Sequence, residues 1–453
     1  MPASLPPAFA VSAMYDRLLQ AALRRYLSRA TLETSATPSM SSVGRLSFEA
    51  TDDPCALALR WFGTRHVLRT PPERPFSQHE ARLARAIGGV LEARYSALFD
   101  PRQMAEHNDL FQGVIDDRYI GAFLDQREYE PGEPQRHADQ IANAIDVLRV
   151  AALSSYENRA ISSGVLIVDP KGDSTSERRI PQQPVQYSAA LSGVKSFYRL
   201  CDGLRTVYLM NQHGHILDIV DIAHWARQAS GGRELEVPCA QAFHAHALAT
   251  LGSSRVCIVL SPTHEIKVFA EGTQVFSFRS ATWHLLDLAA KYAQWQRAVG
   301  NPKVAQRLFQ TALDLSDARQ GALFVVLRNP INAIAELVAP ADVLRTNPSR
   351  DATGAVSRRD FMYLLTARSV IDIDESVLVA LASMDGATVT DREGRLMAVG
   401  AILRHPATEL SGTQAAEGAR STAALAASRF GPVLKVSEDG NISCFDRVKL
   451  WEM

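Results

Sequence analysis

Two stretches of this chain follow one order of short motifs, and that order constrains the fold more than any single segment does. Gly164-Val-Leu-Ile-Val-Asp169-Pro170 returns as Gly321-Ala-Leu-Phe-Val-Val-Leu-Arg-Asn-Pro330. Cys201-Asp202-Gly203-Leu204 leads to a strand, a turn at Gln212-His213-Gly214-His215, and a second strand from Ile216 to Val220. Met384-Asp385-Gly386-Ala387 does the same through a turn at Asp391-Arg392-Glu393-Gly394 and a strand from Leu396 to Ile402. A short helix from His244 to Ala249 then precedes Val256–Leu260 and Ser261, as Arg420 to Leu425 precedes Val433–Val436 and Ser437. Ser261 follows Asp202 by 59 residues, and Ser437 follows Asp385 by 52. Three features in one order at similar spacing predict a tandem duplication of an α/β unit. The alternative is that two unrelated α/β segments share the same strand-turn-strand-helix grammar.

A length of 453 residues suits about three domains. We expect boundaries at 1–135, 136–299 and 300–453. The net charge of −1 predicts no nucleic-acid footprint and no anionic-membrane surface. No apolar run reaches the length of a spanning helix, and the apolar start from Met1 to Ala13 lacks a basic segment, so neither a membrane anchor nor a signal peptide is expected. Cys55, Cys201, Cys239, Cys257 and Cys444 show no Cys-x-x-Cys spacing. That argues against a zinc site or disulfide framework and suits a reducing cytoplasm. Cys257, inside Val256-Cys-Ile-Val-Leu260, reads as a buried small hydrophobe.

In the first third, Tyr15–Arg29 reads as a helix with Leu18, Leu19, Ala22 and Leu23 on one face, and 30–43 as a Ser/Thr-rich loop. Arg45–Phe48 and Ala56–Trp61 are strand candidates. Ser77 and Glu80 form a capping box for a helix from Gln78 to about Leu98. Strands followed by this Phe-Ser-x-x-Glu helix resemble the closing part of a GAF-type sensor domain, so a small α+β sensor-like domain is expected here. Turns or loops are expected at Glu130–Pro134 and Ser349–Ser357, and helices over 136–160, Ala281–Val299 and Val304–Leu315. Gly63-Thr64-Arg65-His66 is read as a strand-to-loop segment with Arg65 and His66 solvated.

Three motifs near the C-terminal end carry the chemistry. They are Asp385-Gly386-Ala387, Gly418-Ala419-Arg420-Ser421-Thr422-Ala423-Ala424, and Ser437-Glu438-Asp439-Gly440-Asn441-Ile442-Ser443. Singly, they read as an Asp-Gly turn, a surface helix start and an acidic hairpin turn. Together, over about Ala318 to Phe445, they resemble the catalytic domain of bacterial diadenylate cyclases, which join two ATP into cyclic di-AMP. The resemblance implies an α/β fold of tandem mixed-sheet cyclase-like domains with flanking helices. It implies Asp385 and Glu438 as ligands of Mg²⁺ or Mn²⁺, Arg420 on phosphate, and Gly386, Ala387, Gly418, Ser421, Thr422 and Ser437 around the nucleotide. It also implies a homodimer in which each domain presents one ATP.

The family's pattern at the second motif is Gly-Thr-Arg-His-Arg-Ala-Ala. Here the threonine is Ala419, the histidine is Ser421 and the second arginine is Thr422. At least one positive charge is lost, which bears on catalysis more than on binding. The first copy is more eroded: Leu204 follows Asp202-Gly203, His244-Ala-His246 stands without an arginine, and no glutamate follows Ser261. His244 and His246 read as a helix start, where residues two apart diverge, so no metal site is expected there. The expected function is a metal-dependent diadenylate cyclase, a nucleotidyltransferase. The rival reading is a nucleotide-binding sensor without catalysis. A purely structural interaction protein is a third.

Overall fold

The computed structural model describes residues 7–36, 44–72, 74–106, 108–125, 137–156, 159–168, 184–344, 362–404 and 418–453. The turn expected at Glu130–Pro134 and the loop at Ser349–Ser357 lie outside them. The protein is an α/β protein whose chain divides into two compact units, 1–235 with 245–287, and 236–244 with 288–453. No described helix is long and apolar enough to cross a membrane. None of the five cysteines forms a disulfide, and Cys257 is fully buried.

The first unit begins with the Pro7–Tyr26 helix and a four-stranded antiparallel sheet of β1 (Thr31–Ala36), β2 (Ser47–Glu49), β3 (Ala56–Trp61) and β4 (Thr64–Arg69). The Gln78–Ala97 helix starts at the expected capping box: Ser77 Oγ accepts from Glu80 N at 3.0 Å, and Glu80 Oε2 accepts from Ser77 N at 2.9 Å. Two expectations change. The 30–43 loop opens with β1, an edge strand whose mostly exposed, polar side chains leave no apolar alternation to read. His66 is fully buried, its Nε2 2.8 Å from Asp16 Oδ1, because β4 is a central strand that turns this side chain onto the first helix. Arg65 instead reaches Glu49 at 2.7 Å.

After a short hairpin, β5 (Ser155–Tyr156) and β6 (Arg159–Ala160), comes an eight-stranded sheet. Its strands are β7 (Ser163–Val168), β8 (Val185–Gln186), β9 (Thr206–Asn211), β10 (His215–Asp221), β11 (Val256–Leu260), β12 (Ile266–Ala270), β13 (Thr273–Arg279) and β14 (Thr282–Leu285). One hydrophobic cluster runs from Tyr15 to Trp283, so the described residues on both sides of the expected 135/136 boundary share a core. The helix expected from Ala281 begins only at Leu288. Residues 280 and 281 instead make a hairpin turn with both φ angles positive (49° and 59°), a conformation with no composition signal in Ser-Ala.

The second unit packs a six-stranded sheet of β15 (Ala322–Leu327), β16 (Ala387–Asp391), β17 (Leu396–Ala401), β18 (Val433–Val436), β19 (Ile442–Asp446) and β20 (Val448–Glu452). Leu323, Val325, Val433 and Phe445 line one face with Ala424 and Ala427 of the Ala419–Ala427 helix. Phe324 and Leu434 turn to the other, where Trp451 packs edge-on against Phe309 of the Pro302–Asp317 helix.

The two sheets share one strand path, as a tandem duplication predicts. The second sheet runs β17-β16-β15-β18-β19-β20, and within the first sheet β10-β9-β7-β11-β12-β13 follows the same path. In each, the first strand pairs parallel with the second and antiparallel with the strand after the short helix. The hairpin turns match in detail. Asn211 Oδ1 accepts from His215 N at 3.0 Å, and Asp391 Oδ1 accepts from Arg395 N at 2.8 Å. Gly214 and Gly394 hold φ of 80° and 84°.

His246 shows what became of the first copy. It is fully buried on the His244–Thr250 helix, with Nε2 2.8 Å from the Gly203 carbonyl. Burial pushes its pKa down from 6.5 to about 4, against the smaller upward pulls of that hydrogen bond and of Asp202. The unfolded chain therefore binds the proton first, so this group's stabilisation is complete above pH 6.5 and is lost as pH falls toward 4. The sign gives an expected result in urea titrations. His246→Gln is less stable than wild type at pH 7.5, and the gap narrows by about 2 kcal/mol on going to pH 4.5. A gap independent of pH overturns this.

Candidate functional site

The three C-terminal motifs come from distant parts of the sequence and meet at one end of the second sheet. Asp385 lies in the loop between the Glu375–Ala382 helix and β16, and its side chain is wholly exposed. Arg420 sits in the first turn of the Ala419–Ala427 helix, and Glu438 in the β18–β19 turn. Arg420 Nη1 donates to Glu438 Oε1 at 2.8 Å, and Nη2 stands 3.7 Å from Asp385 Oδ1. The carboxylates are 100% and 74% exposed and the guanidinium 39%. Exposed ion pairs of this kind add little to stability because water screens them. The cluster is therefore open to a ligand that competes for its charges.

The local backbone explains the positions. Gly386 holds φ +107°, and a β-carbon there would lie 2.4 Å from the Gly400 carbonyl carbon. Glycine is thus demanded by the neighbouring strand, whatever binds outside. Ala387 begins β16 with its methyl in the core beside Leu323 and Val325. Gly418 opens the helix at φ +90° with open space around it and no side-chain cap. Ser437 donates to the Asn441 carbonyl at 3.0 Å, and Asn441 Nδ2 donates to Asp439 Oδ2 at 2.7 Å, so both residues brace the turn that carries Glu438. Burial would raise the Asp439 carboxyl, but hydrogen bonds to it from the Ser437 side chain and from the backbone and side-chain N–H groups of Asn441 hold it below the usual carboxylate range. Thr422 donates back to the Gly418 carbonyl at 3.3 Å.

Two further residues belong to this corner, Gly321, which the sequence marks only as the start of a strand, and Lys435, to which it assigns no role. Gly321, just before β15, underlies the arginine: a β-carbon there would lie 2.3 Å from Arg420 Nη1. Lys435, in the middle of β18, donates to Ser421 Oγ at 2.9 Å. Its signal was present, a lone charge inside Val433-Leu-Lys-Val436, but a strand of four residues does not say which face the charge meets.

Asp385 and Glu438 are carboxylates of the type that could hold a divalent ion. Mg²⁺ is commonly held by one or two carboxylates, with water and substrate phosphates completing its shell. Among the described residues no group of three or more His, Cys, Asp or Glu side chains gathers as a metal cage. Among its described residues the first copy offers no equivalent pair. Asp202 Oδ1 accepts from the backbone N–H groups of Leu204, Arg205 and Thr206 at 2.9, 2.7 and 3.0 Å, so its carboxylate is spent on its own loop.

No family model matches the chain, and no curated protein matches it. Among solved structures the chain is similar to a hypothetical membrane spanning protein from Bacillus cereus, with 20% identity over 36% of this chain and 69% of that one, at a TM-score of 0.26.

Proposed function

We propose that the second unit is a metal-dependent nucleotide site that condenses two ATP into cyclic di-AMP with release of pyrophosphate. The observation that carries this reading is the convergence of Asp385, Arg420 and Glu438 on one exposed cluster. In the reaction, the 3′-hydroxyl of each ATP attacks the α-phosphorus of the other, the bond from that phosphorus to the oxygen bridging to the β-phosphate breaks, and two pyrophosphates and two protons leave. Asp385 and Glu438 would hold Mg²⁺ or Mn²⁺, which would neutralise charge at the reacting phosphate. Asp385 orients the attacking hydroxyl. Arg420 holds the phosphate oxygens. Ser421 keeps its own O–H available, since its oxygen accepts from Lys435.

One such cluster presents one ATP. The first copy has no comparable pair, so the second nucleotide comes from another copy of the chain, in a homodimer. ATP as substrate places this activity in the cytoplasm.

The altered cradle favours a second reading. With Ser421 and Thr422 where the resembled family has His and Arg, the site is a nucleotide sensor that binds and does not catalyse. Incubation with ATP and Mn²⁺ or Mg²⁺, with products resolved by mass spectrometry, separates the two. Cyclic di-AMP supports the cyclase; ATP binding without any dinucleotide supports the sensor; no ATP binding removes both. Under either nucleotide reading, Arg420→Ala weakens ATP binding in calorimetry by about 10-fold, the scale of one charge-assisted contact. Its melting temperature stays near wild type because the ion pairs are exposed.

A further inference from the structure

Lys435 has no carboxylate partner among the described residues. It stands half-buried on the sheet face that carries the Ala419–Ala427 helix, and its ammonium reaches the first turn of that helix through Ser421. This is the positive end of the helix dipole, where acidic side chains are ordinarily favoured and cations are not. The first turn holds no acidic residue, and Gly418 provides no cap for its amides. Directly across β18, Ser443 is in register with Lys435, and its buried hydroxyl has no hydrogen-bond partner. An ammonium, a guanidinium, uncapped amides and the Ser421 hydroxyl therefore crowd one corner. Glu438 and Asp385 offset the guanidinium, which leaves the ammonium as the cation without a carboxylate among the described residues.

Resting on the nucleotide reading above, we propose that Lys435 is a phosphate-binding residue of this site. It supplies, from the sheet, the second positive charge that the helix start has lost, and it selects a polyphosphate chain over a neutral nucleoside. The cradle then has one cation on the helix and one on the strand, with Gly321 leaving room for the first.

The test is calorimetry on the full chain with ATP, inorganic triphosphate and adenosine as separate probes, in the presence of Mg²⁺. Lys435→Met keeps the length of the stem and removes the charge, and Lys435→Gln serves as a second variant should the first lower the melting temperature. The expected result is about 10-fold weaker binding of ATP and triphosphate with adenosine unchanged, and a shallower loss of ATP affinity on adding salt. Lys435→Arg restores most of the loss. Equal weakening for ATP and adenosine, or wild-type triphosphate affinity in both variants, overturns the role of Lys435. If Arg420→Ala still weakens ATP in that case, the site reading stands. A wild-type chain that binds none of the phosphorylated probes overturns both.

Discussion

Asp385→Asn is expected to abolish dinucleotide formation, by at least ~100-fold, while leaving the fold intact, because it removes the charge on which both metal binding and orientation of the attacking hydroxyl depend. Asp385 is fully exposed, and its nearest charged contact is the 3.7 Å approach to Arg420, so nothing in the core depends on it. The comparison is made by mass spectrometry of products beside circular dichroism and melting curves for wild type and variant. Loss of product at an unchanged melting temperature assigns the carboxylate to chemistry. Product at the wild-type level removes Asp385 from the mechanism and with it the resemblance on which that role was built. Under the sensor reading the same substitution changes metal-dependent ATP affinity and has no activity to remove.

Gly386→Val is expected to be the most destabilising single change near the site, costing about 3 kcal/mol or more. A non-glycine residue at positive φ is already strained by ~1–2 kcal/mol, and β-branching adds to this. The larger cost is steric, since the new β-carbon would lie 2.4 Å from one Gly400 backbone atom and 2.7 Å from the next. Those atoms belong to β17, which pairs with β16 immediately after Gly386, so relief requires parting two strands. Gly418→Ala is the control. Its φ is also positive, at +90°, but nothing lies within 4 Å of the position, so it should cost only about 1 kcal/mol. Urea unfolding of both variants measures the difference. Equal costs would show that the backbone angle alone, and not the strand contact, sets the requirement for glycine at 386.

Much of this architecture was legible because it is local. The Ser77/Glu80 capping box, the Ala56–Trp61 strand and the turns at Gly214 and Gly394 each depend on side chains within a few residues of one another. The order of motifs also matched the shared topology where strands consecutive in the chain pair as hairpins, β9 with β10 and β11 with β12 in the first sheet, β16 with β17 and β18 with β19 in the second. The elements that escaped reading are those whose side chains give no local signal. β1 is a polar edge strand, defined only by its pairing with β4. The 280–281 hairpin is held in place by the strands it joins, not by its own residues.

The candidate site divides along the same line. By itself the sequence determined which residue types stand at Asp385, Arg420 and Glu438, and that each stands at or next to the end of a regular element. Only the tertiary structure decided that the three meet, that Asp202 is consumed by its own loop, and that Lys435 and Gly321 belong to the same corner. The physical reason is range. Helix caps and turns are determined by hydrogen bonds across three or four residues. The charge of a site is summed over side chains that only strand pairing brings together, and here β18 pairs with β15 across more than a hundred residues of chain.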